Sequence, residues 1–293
     1  MIYSVTHLTS YCYGEAVDLA HHLLHLTPRE LPNQRVRSNK IITAPPAARN
    51  LVHQDHFGNE VTVLMMGEPH EEFSVQARAE VEVSVPNLPR PQATPKIAAL
   101  VGMLARGDTG FAIEASEFTH PSPFVDIDPD IHFYAAQSLA PDVPVLSAAF
   151  DLMRRINNDF AYMPGTTAIS TPVGEVLAAR AGVCQDFAHV AIAALRSHGL
   201  AARYVSGYIR TYSNENAAFR GADASHAWFD VWCGDYGWIG LDPTNDLIVR
   251  DEHIILAIGR DFGDVSPVSG VILGGGRQQL TVAVTVTPMV DQD

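Results

Sequence analysis

The sequence predicts an α+β protein: an N-terminal antiparallel β-sandwich, then a domain in which a central helix packs against an antiparallel sheet. Three observations predict this. Val75, Ala77, Ala79, Val81, Val83 and Val85 alternate with Gln76, Arg78, Glu80, Glu82 and Ser84, the period of a strand with one buried face. Pro86, Pro89, Pro91 and Pro95 then fall close together, a density that disfavours helix interior and central strand alike. They mark a boundary between residues 1–90 and 91–293. Beyond it Leu146, Phe150, Met153 and Ile156 recur at spacings of three and four, the helical period.

In the first segment the expected strands are Tyr3–Tyr13, Ala16–Leu26, Val36–Thr43, Leu51–Phe57, Glu60–Met66 and Glu72–Val85. Thr27-Pro28, Pro45-Pro46 and Phe57-Gly58-Asn59 punctuate them as turns, and such a series makes a sandwich. Lys96 to Gly107 reads as a short helix. Thr119 to Asp130, with Pro121, Pro123 and Pro129, reads as loop. A helix runs from Val143 to near Asn158, and Tyr162–Thr171 is a loop around Pro164-Gly165. Thr171-Pro172 opens a short helix over Val173–Ala181. Gly182 breaks it, and the next helix starts at Cys184 and ends near His198. It is apolar nearly all round, which is the pattern of a central helix. Strands Ala201–Thr211, Ser225–Cys233 and Trp238–Asp242 follow, and a last strand, Leu280–Val286, comes after Gly274-Gly275-Gly276.

The chain has 293 residues, 47% of them hydrophobic, enough for a sizeable core. Its 19 basic and 33 acidic side chains give a net charge of −14, which repels phosphate backbones and anionic lipid. Neither a nucleic acid nor a membrane is an expected partner. Met1 to His7 lacks the basic start and apolar stretch of a signal peptide, and no apolar run reaches the ~18 residues of a membrane span. Cys12, Cys184 and Cys233 are odd in number and far apart, which fits neither a disulfide framework nor a zinc knuckle. A reducing cytoplasm is the expected compartment. His21, His22 and His25 invite a metal test. On a strand His21 and His25 share a face and His22 points away, and two ligands without a cysteine or acidic partner make a weak site. No metal and no cofactor are expected.

Three residues carry a chemical pattern. Cys184 follows Gly182 at the start of a predicted helix, where free N–H groups and the helix dipole stabilise a thiolate and could receive an oxyanion. Alone it is equally a small buried apolar residue. His226 opens the alternating strand Ser225-His226-Ala227-Trp228-Phe229-Asp230-Val231-Trp232, with Trp228 and Asp230 on its face. Alone it is one histidine of 13. Asp242 ends the next strand before Pro243, a common turn position. Facing residues of an antiparallel pair share a side and alternate along it. His226 and Asp242 therefore share a face only across a hairpin loop of odd length. A three-residue loop, Gly234–Tyr236, sets Cys233 opposite Gly237, Asp242 opposite Trp228, and Asp242 diagonal to His226. The ordered set has the division of labour of nucleophilic catalysis: a thiolate to attack, an imidazole to move protons, a carboxylate to orient it.

Gly182-Val183-Cys184-Gln185-Asp186-Phe187-Ala188-His189, Ser225-His226-Ala227-Trp228 and Gly237-Trp238-Ile239-Gly240-Leu241-Asp242-Pro243-Thr244 together resemble the transglutaminase-like superfamily. Leu26-Thr27-Pro28-Arg29, Gln34 and Asp55-His56-Phe57-Gly58-Asn59 resemble the bacterial transglutaminase-like N-terminal region. Gly259-Arg260-Asp261-Phe262 and Asp264-Val265-Ser266-Pro267 resemble the closing segment of the same two-domain bacterial proteins, so the likeness spans nearly the whole chain. The resemblance implies a papain-like α+β core and thiol chemistry on amide bonds of a peptide or protein substrate. By matching position Cys184 is nucleophile, His226 general base and acid, and Asp242 the residue that orients His226. Tyr162, Gln185 and Trp228 are candidates for oxyanion or supporting roles, and Asp186 and His189 belong to the same block. Three functions stay open: a cysteine peptidase or amidase that releases its acyl group to water, a transglutaminase that releases it to an amine, and a non-catalytic binding protein on the same fold.

Overall fold

The computed structural model describes residues 1–212, 219–222 and 224–289. Its strands are β1 (Ile2–Leu24), β2 (Gln34–Ala44), β3 (Arg49–Gln54), β4 (Glu60–Met66), β5 (His70–Val83), β6 (Ala161–Tyr162), β7 (Ala181–Gly182), β8 (Ala202–Ile209), β9 (His226–Trp232), β10 (Trp238–Asp242), β11 (Leu247–Ile248), β12 (His253–Gly259), β13 (Val268–Gly274) and β14 (Gln278–Pro288). Its helices are α1 (Ile97–Arg106), α2 (Gly110–Ser116), α3 (Pro129–Ala136), α4 (Val145–Asp159), α5 (Val173–Ala179), α6 (Cys184–Ser197) and α7 (Phe262–Val265).

The two layers expected of the N-terminal segment are halves of one antiparallel sheet, curled about the 23-residue strand β1. The first half of β1 pairs with β5 and β14, and its second half with β4 and β13. The ladder with β5 shifts register between Cys12 and Val17, and such an irregularity lets a strand bend. Gly14 and Glu15 read as a break in the sequence. In the structure the strand continues there, because the Gly14 N–H donates to the Arg277 carbonyl at 2.7 Å. Val17, Leu24, Leu64, Met66, Phe73 and Val75 fill the curl.

β13 and β14 return to the first sheet across the division expected at residue 90. That division gives the tail to the second segment, but both strands pair with β1. Val284 and Val286 share one apolar cluster with Tyr3 and Val5 of β1 and with the helices that follow. The tail therefore closes the first sheet and ties it to the second domain.

The second sheet has the order β11-β10-β9-β8-β12. Ala227, Phe229 and Val231 of β9 belong to the same buried cluster as α6, whose residues from Asp186 to Arg196 are all buried. The opposite face presents Val205, Trp228 and Ile258, covered in part by Phe57 of the first domain. Gly207 on β8 is required by close approach: a Cβ there would lie 2.2 Å from the Ile254 carbonyl and 2.4 Å from the Trp228 ring. Trp228 lies across that gap to reach His253, ring centroids 5.1 Å apart. The segment Thr119–Asp130, read as loop, is loop until its last residues. Pro129 is the first residue of α3, capped by the Asp128 carboxylate, which accepts from the Ile131 N–H at 2.9 Å.

The docking of the first domain on the second explains several residues of the N-terminal motif. β12 is an edge strand with a register shift between Ile255 and Ala257, and its free groups need partners. The Gln34 amide accepts from the Ile255 N–H and donates to the Ile255 carbonyl, both at 2.8 Å. The Asn59 amide does the same with Ile258, at 2.9 and 2.8 Å. Two side-chain amides thus imitate a neighbouring strand. Removing either leaves buried backbone groups unpaired, at about 2 kcal/mol each. Gln34→Ala and Asn59→Ala are each expected to lower unfolding free energy by about that amount in urea. Arg37→Ala, which breaks only the exposed ion pair with Glu82, should cost less than ~1 kcal/mol. Equal effects from all three would sink the latch.

Candidate active site

Cys184 is the first residue of α6 and is partly exposed. The turn before it is held by Asp186, whose buried carboxylate accepts from the Val183 N–H at 2.8 Å and the Thr167 hydroxyl at 2.7 Å. A negative group at a helix start is favoured by the helix dipole, and burial raises the Asp186 pKa. Gly182 makes this approach possible, since a Cβ there would fall 2.6 Å from the Asp186 carboxylate. Asp186 therefore shapes the turn. His189, one turn on, is buried behind the site. Its Nε2 accepts from the Phe262 N–H at 3.2 Å, and burial lowers its pKa to about 4.

His226 opens β9 and Asp242 closes β10. The hairpin has the odd-loop register: the Cys233 N–H donates to the Gly237 carbonyl at 2.8 Å, Trp232 faces Trp238, and Phe229 faces Leu241. His226 Nε2 and Asp242 Oδ2 are 2.8 Å apart, with both side chains fully buried. Burial alone would lower the pKa of His226. The Asp242 carboxylate outweighs it and, with help from Cys184, raises the pKa to about 10. Burial alone would raise that of Asp242, and the imidazolium instead takes it far below the ordinary carboxylate range. The pair is an imidazolium and a carboxylate.

Nδ1 of His226 is buried with no aligned hydrogen bond, yet the Cys184 sulfur is near enough to act on the ring. The two groups are within reach but not engaged, as is common before a substrate binds. They share a cleft of about 270 Å³ with Tyr162 and Gln185. Gly221 covers the imidazole with φ at +78°, and a Cβ there would fall 2.9 Å from Nδ1 and 3.7 Å from the Tyr162 hydroxyl. That position needs glycine for its conformation and for its closeness.

The structure separates the three supporting candidates. Tyr162, on β6, lines the cleft. Gln185 also lines it, but its Nε2 donates to the Ile169 carbonyl at 3.0 Å and so holds the neighbouring loop. Trp228 is fully buried and outside the cleft, packed against His226 and His253. It supports the imidazole from behind and cannot donate into the cleft.

Two partners of Asp242 went unread in the sequence. Asn245 donates from Nδ2 to Asp242 Oδ2 at 2.8 Å, and His253 Nε2 lies 3.4 Å from the same oxygen. Oδ1 accepts from the N–H groups of Thr244 at 2.9 Å and Asn245 at 3.3 Å. Asn245 follows Asp242-Pro243-Thr244 directly, so its place in the turn was a legible signal. His253 lies on a strand that sequence did not assign. Of the histidines tested for metal, His21 is exposed, His22 stacks on Phe73, and His25 is 3.6 Å from Asp55. Among the described residues no group of three or more metal-ligating side chains occurs, and no helix is long and apolar enough to cross a membrane.

Comparison with known proteins gives two family matches, the bacterial transglutaminase-like N-terminal region at residues 3–82 and the transglutaminase-like superfamily at residues 134–243. An uncharacterized protein of Mycobacterium tuberculosis is 38% identical over 292 residues, covering 98% of this chain and 92% of its own. A protein-glutamine gamma-glutamyltransferase of Pseudomonas aeruginosa is 32% identical over 98 residues, 32% of this chain and 15% of that one. A candidate cysteine protease from Cytophaga hutchinsonii shares the fold, with a TM-score of 0.74 at 21% identity over 98% of this chain and 90% of that one.

The buried pair sets a pH dependence of stability. The pKa of His226 is raised above its ordinary 6.5, so its contribution is complete below that value and is lost as pH rises towards about 10. That of Asp242 is lowered, so its contribution is complete above 3.8 and is lost as pH falls further. Asp242→Asn strands a buried cation, at a cost of about 3–5 kcal/mol. The deficit relative to wild type should be greatest near pH 5–6 and should shrink towards pH 9 in urea unfolding, by the linkage just given. A deficit that grows with pH would contradict the ionic pair.

Proposed function

Because the chain belongs to the transglutaminase-like superfamily, we propose that it is a thiol-dependent acyl-transfer enzyme acting on amide bonds of peptides or proteins, with Cys184, His226 and Asp242 as its triad. The observation that carries this reading is one cleft holding a partly exposed thiol at a helix start beside an imidazole fixed by a buried carboxylate.

In this reading His226 holds the proton of the Cys184 thiol, and the sulfur attacks the amide carbon. Negative charge on the carbonyl oxygen is received by the Cys184 N–H at the first position of α6 and by the Tyr162 hydroxyl. His226 then gives its proton to the departing amine nitrogen as the C–N bond breaks, leaving a thioester on Cys184. Asp242 keeps the imidazole aimed throughout and stabilises it whenever it carries the proton. Water restores the thiol by attacking the thioester, giving up a proton to His226. Partial exposure of Cys184 lets solvent reach the acyl group and favours hydrolysis. The alternative acceptor is an amine, a reading favoured by the 98-residue likeness to the Pseudomonas aeruginosa gamma-glutamyltransferase.

The test is turnover of a glutaminyl peptide in the presence of a labelled primary amine. Wild type should release acid in excess of labelled product. Cys184→Ala and His226→Ala should each lower kcat/KM by roughly 10³-fold or more. At pH 6.5 iodoacetamide should alkylate Cys184 roughly tenfold faster in wild type than in His226→Ala. Amine incorporation above hydrolysis moves the assignment to transferase. Alkylation indifferent to His226 leaves only a binding protein on this fold.

A further inference from the structure

A second cavity, of about 330 Å³, adjoins the Cys184 cleft and shares two wall residues with it, Ser225 and Phe262. Ser225 precedes His226 directly. The far wall comes from the first domain. Thr9 and Tyr11 of β1 face Val282 and Leu280 of β14 across one ladder, and their side chains line the space together with Ile169. The Ile169 carbonyl is the group held by Gln185, the residue after Cys184. The rim of this cavity is therefore tied to the start of α6.

The chemistry of the lining is uncharged. Among the described residues no Asp, Glu, Lys or Arg contributes to it, in a chain of net charge −14. The one histidine present, His7, is buried with both ring nitrogens engaged, Nδ1 with the Tyr208 hydroxyl at 2.8 Å and Nε2 with the Thr9 hydroxyl at 2.9 Å. Burial lowers its pKa to about 4, so it brings no charge at neutral pH. A charged side chain entering this space would give up water and meet no opposite charge.

We propose that this cavity is a specificity subsite, built by the first domain, that takes a large apolar side chain of the substrate next to the residue whose carbonyl is attacked. The inference rests on the Cys184 reading and adds a reason for the first domain and its returning tail strand to be present. Substrates with leucine or phenylalanine at that place are preferred over those with glutamate or lysine.

The test uses two peptidyl fluoromethyl ketones that differ only in carrying leucine or glutamate beside the residue bearing the warhead. Iodoacetamide serves as a small reagent too short to reach the subsite. Labelling is read at Cys184 and, for reference, at the exposed Cys12 by peptide mapping. Wild type should label with the leucine probe at least about tenfold faster than with the glutamate probe. Leu280→Lys places a cation in the wall at a half-exposed position and should bring that ratio close to one. Val271→Lys, exposed on β13 away from the cavity, should keep the wild-type ratio. A ratio unchanged in Leu280→Lys, with iodoacetamide labelling intact, overturns the subsite and leaves the Cys184 reading standing. A Cys184 no more reactive than Cys12 toward iodoacetamide overturns both.

Discussion

The Asp242 carboxylate is fully buried yet ionised, and much of the second domain is arranged to keep it so. An unpaired carboxylate in such a place would take up a proton. Here Oδ1 accepts from two backbone N–H groups of the turn after β10, and Oδ2 meets His226, Asn245 and His253. Each donor depends on a separate piece of the fold. His226 needs the odd hairpin loop, Asn245 the turn, and His253 the edge strand β12. Trp228 fills the space between the two histidines because Gly207 leaves it room. The result is an imidazole with one nitrogen fixed and the other presented to Cys184.

The first domain enters this arrangement twice. Gln34 and Asn59 pair the free edge of β12, the strand that carries His253, so the docking of the domains fixes a member of the carboxylate network. β1 and β14 then supply a wall beside the cleft. The tail that completes this wall starts just after α7, whose Phe262 packs beside Tyr204 and donates to His189. Arg196 ties the same region together from the end of α6. It is buried and donates to the carbonyls of Phe118, Ala202 and Arg260, a cation placed where the helix dipole favours one.

Features with a local cause were legible in the sequence. The alternation has a buried face from Val75 to Val83, although Val85 lies past the strand and is exposed. The apolar helix after Gly182 is central, and the hairpin has the odd-loop register that parity requires, because a strand repeats every two residues. Features with a distant cause were not. His253-Ile254-Ile255-Leu256-Ala257-Ile258 shows no alternation, because β12 is buried on both faces: Ile254 and Leu256 lie in the cluster shared with α6, and Ile258 lies beside Trp228 and Phe57. Val268–Gly274 carries the apolar run Val271-Ile272-Leu273, but the run is short and set between glycines, and Val271 and Leu273 are exposed on β13. Pro129 looked like one more loop proline, although Pro at the first position of a helix is favourable after an Asp cap. The partnership of Asp242 with His253 has no counterpart in sequence spacing, since chain topology alone brings the two together.

The central claim is that Asp242 holds His226 as an imidazolium facing Cys184. Nitrogen-15 NMR of labelled histidine side chains, with His226 assigned through a His226→Gln variant, tests it most directly. The account predicts that both ring nitrogens of His226 stay protonated from pH 6 to roughly pH 8, while ordinary histidines titrate near ~6.5. A His226 that is neutral at pH 7, titrating with the exposed histidines, would contradict it.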